Sequence, residues 1–128
     1  MNFFKIYPQH EFIHTWTTGS DYETLLNFYK NVATHKDFSK DFTGLADLRK
    51  GELEMTYEQA TEIARFVVDS DYSRARWVFL VTEPAATALS MVYQDIVAKQ
   101  HAMFVASTLK AASDYLGLDL EKIIEKES

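Results

Sequence analysis

The chain of 128 residues contains no cysteine. Disulfides, zinc sites built on thiolates and thiol catalysis are therefore excluded, and this composition fits a reducing cytosol. Glycine is also scarce, with four residues, and none of them belongs to a glycine-rich phosphate loop. Because the Gly-x-Ser-x-Gly sequence is missing as well, serine catalysis of the α/β-hydrolase type is not expected.

Long apolar runs and an excess of basic residues are missing too. The longest apolar run, Trp77 to Val81, is far too short to span a bilayer, and the apolar start of the chain ends at Pro8, too early for a signal peptide. Thirteen Lys and Arg against nineteen Asp and Glu give a net charge of -6, with the basic residues spread along the chain. We therefore expect a cytoplasmic protein that binds neither nucleic acid nor membranes.

Histidine is rare, and its copies lie in different predicted elements, at His10, His14, His35 and His101. No pair is predicted to lie on one helix with the spacing of metal ligands, because His10 and His14, four residues apart, straddle a predicted turn and strand start. Neither a metal site nor another cofactor is therefore expected. No nucleophile is placed beside a base by the sequence either. We predict no catalytic residue and expect that the chain is not an enzyme.

Hydrophobic residues make up 47% of the chain and aromatic residues 14%, which is enough for one core. We assign residues 1–118 to a single domain and residues 119–128 to a C-terminal amphipathic helical tail. The apolar stripe of this tail consists of Leu120, Ile123 and Ile124. It predicts either a homodimer or a tail docked on its own domain.

The N-terminal segment predicts a β-hairpin followed by a helix. Aromatic and β-branched residues are concentrated in Phe3 to Tyr7 and in Glu11 to Thr17, with turn-forming residues between them. Ser20 and Glu23 then have the spacing of a capping box. We expect the first helix to begin at Ser20 and to run to about Thr34.

Strands and helices alternate in the rest of the chain. The predicted elements are a strand over Phe42 to Leu48, a helix capped by Thr56 and Gln59, a strand over Arg76 to Thr82, a helix from Pro84, a strand over Ala102 to Ala106, and a helix that ends at Leu116 before Gly117. In the helix from Pro84, the predicted core-facing stripe is Ala85, Ala88, Leu89, Val92 and Ile96. Met91, Tyr93 and Val97 fall outside that stripe.

The order of elements is β-β-α-β-α-β-α-β-α. It predicts an α/β fold with a mixed, mainly parallel sheet, an antiparallel N-terminal edge hairpin and helices packed on the sheet.

Four segments carry a resemblance to a known group: FKIYPQHEFIHTWTTG, FTGLADLRKGELEMTYEQA, RARWVFLVTEP and ALSMVYQDIVA. Together they resemble the SpoIIAA-like branch of the STAS (anti-sigma-factor antagonist) fold, over nearly the whole chain up to Leu118. The resemblance implies a bacterial, cytoplasmic interaction module with a protein partner. It also implies that a Ser or Thr at the start of the helix after the third strand is phosphorylated, which in this chain is Thr56.

The candidate partner-binding residues lie where a strand delivers a loop to a helix start, at the edge where open α/β folds place their working surface. They are Asp47, Arg49, Lys50, Glu52, Thr56, Thr82 and Glu83.

Thr56 has two interpretations. A phosphate beside a helix N-terminus is electrostatically favourable. However, the chain lacks the Asp-Ser-(Ser/Thr)-Gly signature of the phosphorylated relatives, and Glu52 and Glu54 in the preceding loop would repel a phosphate. The alternative is that Thr56 is only an N-cap, worth about 1 kcal/mol.

Asp47 and Arg49 also have two interpretations. They share parity at the end of a strand, so their side chains are expected on the same side near the crevice. They either contact a partner or form an ion pair that holds the loop in place.

A binder of a small apolar or lipid-like ligand, held between the helices and the sheet, is the alternative function. The residues expected to line that ligand site are Tyr57, Met91 and Tyr93.

Overall fold

The computed structural model describes residues 2–50 and 52–125. Its first two strands, β1 (Asn2–Tyr7) and β2 (Phe12–Thr17), form the predicted hairpin. They pair antiparallel with Tyr7 opposite Phe12, and a single 3-10 turn over Pro8–His10 connects them. Aromatic and β-branched side chains fit a pleated, half-buried surface, which explains why this composition forms strands.

The described chain continues through three further long strands, two very short strands and five helices. These elements are β3 (Ser20–Asp21), α1 (Tyr22–Ala33), β4 (Thr43–Asp47), β5 (Leu53–Glu54), α2 (Tyr57–Asp69), β6 (Trp77–Leu80), α3 (Pro84–Val97), β7 (Met103–Ala106), α4 (Leu109–Leu116) and α5 (Leu120–Glu125). The predicted alternation of strands and helices is confirmed, and β3 and β5 are additions to it.

The main sheet has five strands in the order β1-β2-β4-β6-β7. Only the β1-β2 pair is antiparallel, and every other neighbouring pair is parallel. This is the predicted mixed sheet with an antiparallel hairpin at its edge. In the centre, Leu45 of β4 lies opposite His14 of β2 and Val78 of β6.

Helices cover both faces of the sheet because its central strands are apolar on both sides. α1, α2 and α3 bury Phe28, Ile63 and Val97 in a cluster on one face. α4 and α5 bury Leu116 and Leu120 in a second cluster on the other face. Each face therefore has its own hydrophobic layer.

Gly44 allows β4 and β6 to lie closely under the first layer of helices. The indole ring of Trp77 lies directly over Gly44, and a Cβ atom at that position would overlap the ring atoms. Trp77 is held there by a hydrogen bond of 3.0 Å from its Nε1 to Ser73 Oγ. Gly44 is one of the small residues that predicted a strand closely covered by helices, and the Trp77 ring makes a small residue necessary at this position.

The predicted capping box of the first helix is wrong. The helix begins at Tyr22, and its N-cap is Asp21, whose Oδ1 accepts a hydrogen bond of 2.9 Å from Thr24 N. Ser20 lies in β3 instead, opposite Leu53 of β5. Both Ser and Asp are good N-cap residues. Pairing with a distant strand, rather than local preference, decided which of them caps the helix.

The buried face predicted for α3 is also wrong. The core-facing residues are Ala86, Leu89, Ser90, Tyr93 and Val97. Of the predicted stripe only Leu89 is buried, and Ala85 is exposed. Apolar residues occur around most of this helix, so the periodicity did not determine its rotation. Packing of the Tyr93 ring against Phe79, with ring centroids 4.8 Å apart, marks the side that faces the sheet.

α5 packs on the sheet of its own chain. Leu120 is fully buried and Ile123 is 8% exposed, both in the cluster beneath α4. Residues 119–125 therefore adopt the docked arrangement, which is one of the two expected for the tail. The last three residues of the predicted tail, 126–128, lie outside the described residues. None of the described helices has the length and apolar character needed to cross a membrane.

Candidate functional site

An open depression lies at the carboxyl ends of β2 and β4, beside the start of α3. Its volume is about 440 Å³. We call it the charged depression, and its lining residues are Thr18, Gly19, Arg49, Lys50, Glu52, Glu54 and Glu83.

Four of the predicted partner-binding residues, Arg49, Lys50, Glu52 and Glu83, line this depression together. The prediction did not include Glu54, and it also missed the contribution of Thr18 and Gly19. A signal for them existed, because β2 runs parallel to β4, and the carboxyl ends of parallel strands meet at one edge of a sheet. Gly19 has a φ of 138°, which only glycine adopts readily, and this turns the chain from β2 into β3.

Asp47 does not line the depression, and its carboxylate pairs with Arg49. Arg49 Nε donates to Asp47 Oδ1 at 3.0 Å, and Nη2 donates to Oδ2 at 2.8 Å. The backbone amide of Arg49 also donates to Oδ1, at 3.1 Å. This bidentate pair is the arrangement expected if the two residues hold the loop in place.

The electrostatics of the pair agree with this geometry. Burial raises the pKa of Asp47, but the hydrogen bonds from Arg49 outweigh burial, and the pKa lies below its ordinary value. Asp47 is therefore charged at neutral pH. One side of the guanidinium is committed to Asp47, while the Arg49 side chain remains 39% exposed.

The loop between β4 and α2, described over residues 48–50 and 52–56, is held at its other end by the predicted capping box of α2. Thr56 Oγ1 accepts a hydrogen bond of 3.1 Å from Gln59 N, and Gln59 Oε1 accepts one of 3.0 Å from Thr56 N. The N-cap role of Thr56 is thus present in the structure. Thr56 and Thr82 are both exposed, but neither lines the depression.

Pairing of β3 with β5 adds a third attachment in the middle of the loop. Ser20 N donates to Glu52 O at 3.1 Å. Side chains then alternate along the loop. Glu52 and Glu54 are exposed, whereas Leu53 and Met55 turn inward and line a cavity.

That cavity lies beneath the loop, between α1, α2, α3 and the sheet, and has a volume of about 40 Å³. Its lining is mostly apolar, from residues such as Leu25, Ile63 and Phe79. The polar side chains in its wall are Thr15, Thr17, Tyr29, Ser90 and Tyr93. Because a water molecule needs roughly 10 to 15 Å³ of such space, the cavity holds a few water molecules at most and is much too small for a lipid chain.

Only one of the three residues expected to line a ligand site does so. Tyr93 is 7% exposed and lies in the cavity wall. Tyr57 is 61% exposed and Met91 is 55% exposed, so neither is part of this cavity. Tyr57 is the first residue of α2, and Met91 lies two positions from Tyr93, which places it on the opposite side of α3.

The tyrosine hydroxyls near the cavity are neutral. Burial raises the pKa of Tyr29 to about 12, and burial also raises the pKa of Tyr93 well above its ordinary value. The two hydroxyls share a hydrogen bond. Ser90 differs from them. Its Oγ is buried and has no hydrogen-bond partner within the described part of the chain.

Within residues 2–50 and 52–125, no three His, Asp or Glu side chains converge as metal ligands. His101 is buried, and burial lowers its pKa, so it is neutral at neutral pH.

Comparisons of the chain with protein-family models, with curated proteins and with solved structures found no match in any of the three. What the chain does must therefore be inferred from the arrangement of its own side chains.

Proposed function

We propose that this chain is a non-enzymatic regulatory domain of the SpoIIAA-like (STAS) type, which recognises a protein partner in the cytoplasm through the charged depression. One observation carries the proposal. Residues from three separate segments, which include Gly19, Lys50 and Glu83, form a single open surface at the carboxyl edge of the parallel strands. Open α/β folds place their binding sites at this edge. The STAS assignment itself is supported by the four sequence segments quoted above and by the order of elements.

The loop that forms most of the depression is preorganised for recognition. It is held by the Asp47–Arg49 pair, by the β3–β5 pairing and by the capping box of Thr56. A surface that is already ordered loses little conformational entropy when a partner binds. Its exposed carboxylates and its Lys50 ammonium supply directional polar contacts.

Recognition fits this surface better than a phosphorylation switch at Thr56. The Thr56 hydroxyl oxygen already caps α2, and Glu52 and Glu54 place negative charge in the adjoining loop. A Thr56→Ala variant checks this point. It should lose roughly 1 kcal/mol of stability through the lost cap while still binding the partner.

Site-specific cross-linking tests the proposal directly, because the chain has no cysteine of its own. A Glu52→Cys variant carries one photo-reactive label in the charged depression. Asp114→Cys is the matched control, since Asp114 is an exposed carboxylate on α4 with 70% of its side chain accessible. In native lysate, position 52 should capture one defined protein repeatedly, and position 114 should not.

The charge of the depression supplies a second control. Adding Lys50→Glu to the labelled Glu52→Cys variant should weaken capture of the same protein at unchanged stability. The proposal is refuted if no protein is captured from position 52, or if positions 52 and 114 capture the same proteins equally.

A second candidate function is the binding of a small apolar ligand, and the cavity beneath the loop favours it. Its wall is mostly apolar, with Phe79 and Tyr93 on one side and Leu53 on the other. A lipid-like ligand would require the loop and helices to move apart, because the enclosed volume is only about 40 Å³. Native mass spectrometry of gently purified protein checks this candidate. Any bound molecule should appear as a mass that denaturation removes.

A further inference from the structure

Ser90 carries one of several buried polar atoms without a hydrogen-bond partner among the described residues, and it lines a cavity. Its hydroxyl lies on the core-facing side of α3 and lines the cavity beneath the loop. The residue is 2% exposed, and Oγ has no hydrogen-bond partner among the described residues. Buried polar groups are nearly always hydrogen-bonded, because an unmade bond leaves the cost of desolvation uncompensated. A partner for Ser90 from outside the chain is therefore expected.

The rest of the cavity wall limits what this partner is. Tyr29 and Tyr93 bond to each other, and their neighbours in the wall are carbon surfaces such as Phe28, Leu89 and Met55. A molecule in this space meets the buried, unpartnered Ser90 hydroxyl in a mostly apolar wall that also contains the hydroxyls of Thr15 and Thr17. A largely apolar body with a single hydrogen-bonding group matches that wall.

The loop gives the cavity a way to enlarge. Leu53 and Met55 form its outer wall, and Met55 is only half-buried. Methionine is unbranched and flexible, so its side chain rearranges at low cost. A smaller cavity of about 20 Å³ adjoins on the inner side and shares Thr15, Tyr29 and Tyr93 with the first. Movement of Met55 outward or of the tyrosines inward increases the space in front of Ser90.

We propose that this cavity is a binding site for a small, largely apolar molecule with one hydroxyl group, which bonds to Ser90 Oγ after Met55 moves aside. The proposal deepens the second candidate function and rests on it, while it is independent of partner binding at the charged depression. It names the chemistry of the ligand, its polar anchor and the side chain that controls access.

Phenol and toluene are suitable probes, because they have nearly the same shape and differ by a hydroxyl in place of a methyl group. The isolated chain should bind phenol more tightly than toluene, as measured by calorimetry and by ligand-observed NMR. Ser90→Ala should reduce this preference about tenfold, the factor that corresponds to one hydrogen bond. Toluene affinity should stay within about twofold of the original value.

Two further variants separate the anchor from general packing effects. Met55→Ala should raise the affinity for both probes, because it removes the side chain that closes the cavity. Ser107→Ala is the matched control, since Ser107 is an exposed serine before α4, and it should leave the preference unchanged. Circular dichroism and thermal unfolding establish that each variant is folded. If Ser90→Ala does not fold, Ser90→Cys takes its place, because a thiol is a weaker hydrogen-bond partner of similar size.

The proposal is overturned if neither probe shows saturable binding to the original chain or to Met55→Ala, which would leave a cavity that holds water only. It is also overturned if the preference for phenol persists in Ser90→Ala. Neither result bears on the cross-linking from position 52, so failure of this proposal and failure of partner recognition are distinguishable.

Discussion

Gly44 and Trp77 allow a quantitative test of how the sheet and the first layer of helices fit together. The indole ring lies directly over the Gly44 Cα, and a Cβ at this position has no room beside it. Gly44→Ala must therefore displace the ring or separate β4 from β6. The ring is not free to move, because Trp77 is buried and its Nε1 donates to Ser73 Oγ at 3.0 Å.

Three contributions set the size of the effect. Overpacking a core by a single group costs about 1 to 3 kcal/mol. Loss of the indole hydrogen bond, if the ring swings away, adds roughly 1 kcal/mol. A change from Gly to Ala also lowers the conformational entropy of the unfolded chain, which stabilises the folded state by about 0.4 to 1 kcal/mol. We therefore expect Gly44→Ala to lower the free energy of unfolding by about 1 to 4 kcal/mol.

Urea unfolding followed by circular dichroism measures this difference. The matched background is Trp77→Phe, whose smaller ring leaves space above residue 44. In that background the cost of Gly44→Ala should fall by at least about 1 kcal/mol, because the clash is the coupling between the two sites. A Gly44→Ala chain as stable as the original, or an equal cost in both backgrounds, would show that the Trp77 ring does not exclude a Cβ atom at position 44.

Three further predictions concern the loop, the pH dependence of stability and the C-terminal helix. Asp47→Ala should lower the melting temperature, because the guanidinium and the backbone amide of Arg49 lose their acceptor. An unchanged melting temperature together with loss of cross-linking from position 52 would instead make Asp47 a partner contact. Hydrogen bonds from Arg74 and Lys40 lower the pKa of Asp71 from 3.8 to about 2. The stabilisation that these contacts to the Asp71 carboxylate give the fold is therefore fully present above pH 3.8 and is lost as the pH falls toward 2. Asp71→Asn should flatten the profile of stability against pH in this window. An unchanged profile would contradict this role of Asp71. Leu120→Ala should cost about 2 to 5 kcal/mol in urea unfolding because the side chain is fully buried, whereas a cost below about 0.5 kcal/mol would show that α5 is not docked in solution.

The surface proposed for partner recognition and the cavity proposed for ligand binding meet at the same loop. Glu52 and Glu54 face the charged depression, while Leu53 and Met55 close the cavity below it. This alternation is the two-residue period of an extended strand, imposed here by the pairing of β5 with β3. A short strand at the surface therefore gives one loop both a polar outer side and an apolar inner side.

Much of the fold follows from signals that act over a few residues. The capping box of Thr56 and Gln59 marks the start of α2, because both hydrogen bonds close within one turn. The stop of α4 at Gly117 follows from its left-handed backbone, with a φ of 71°. The apolar run of β6 identifies a central parallel strand, and the order of elements then leaves few possible sheets.

The amino-acid pattern alone was thus enough to predict the class of fold, the hairpin, the N-cap of α2, the stop of α4 at Gly117, and the edge of the sheet at which Arg49 and Glu83 meet. Those features depend on local hydrogen bonds and on the direction of parallel strands. Contacts between distant segments were needed to establish that Asp21 rather than Ser20 caps α1, because Ser20 pairs with a strand more than thirty residues away in the sequence. The tertiary structure also set the rotation of α3, and with it the burial of Ser90, because a helix that is apolar on most sides is oriented by its neighbours and not by its own pattern.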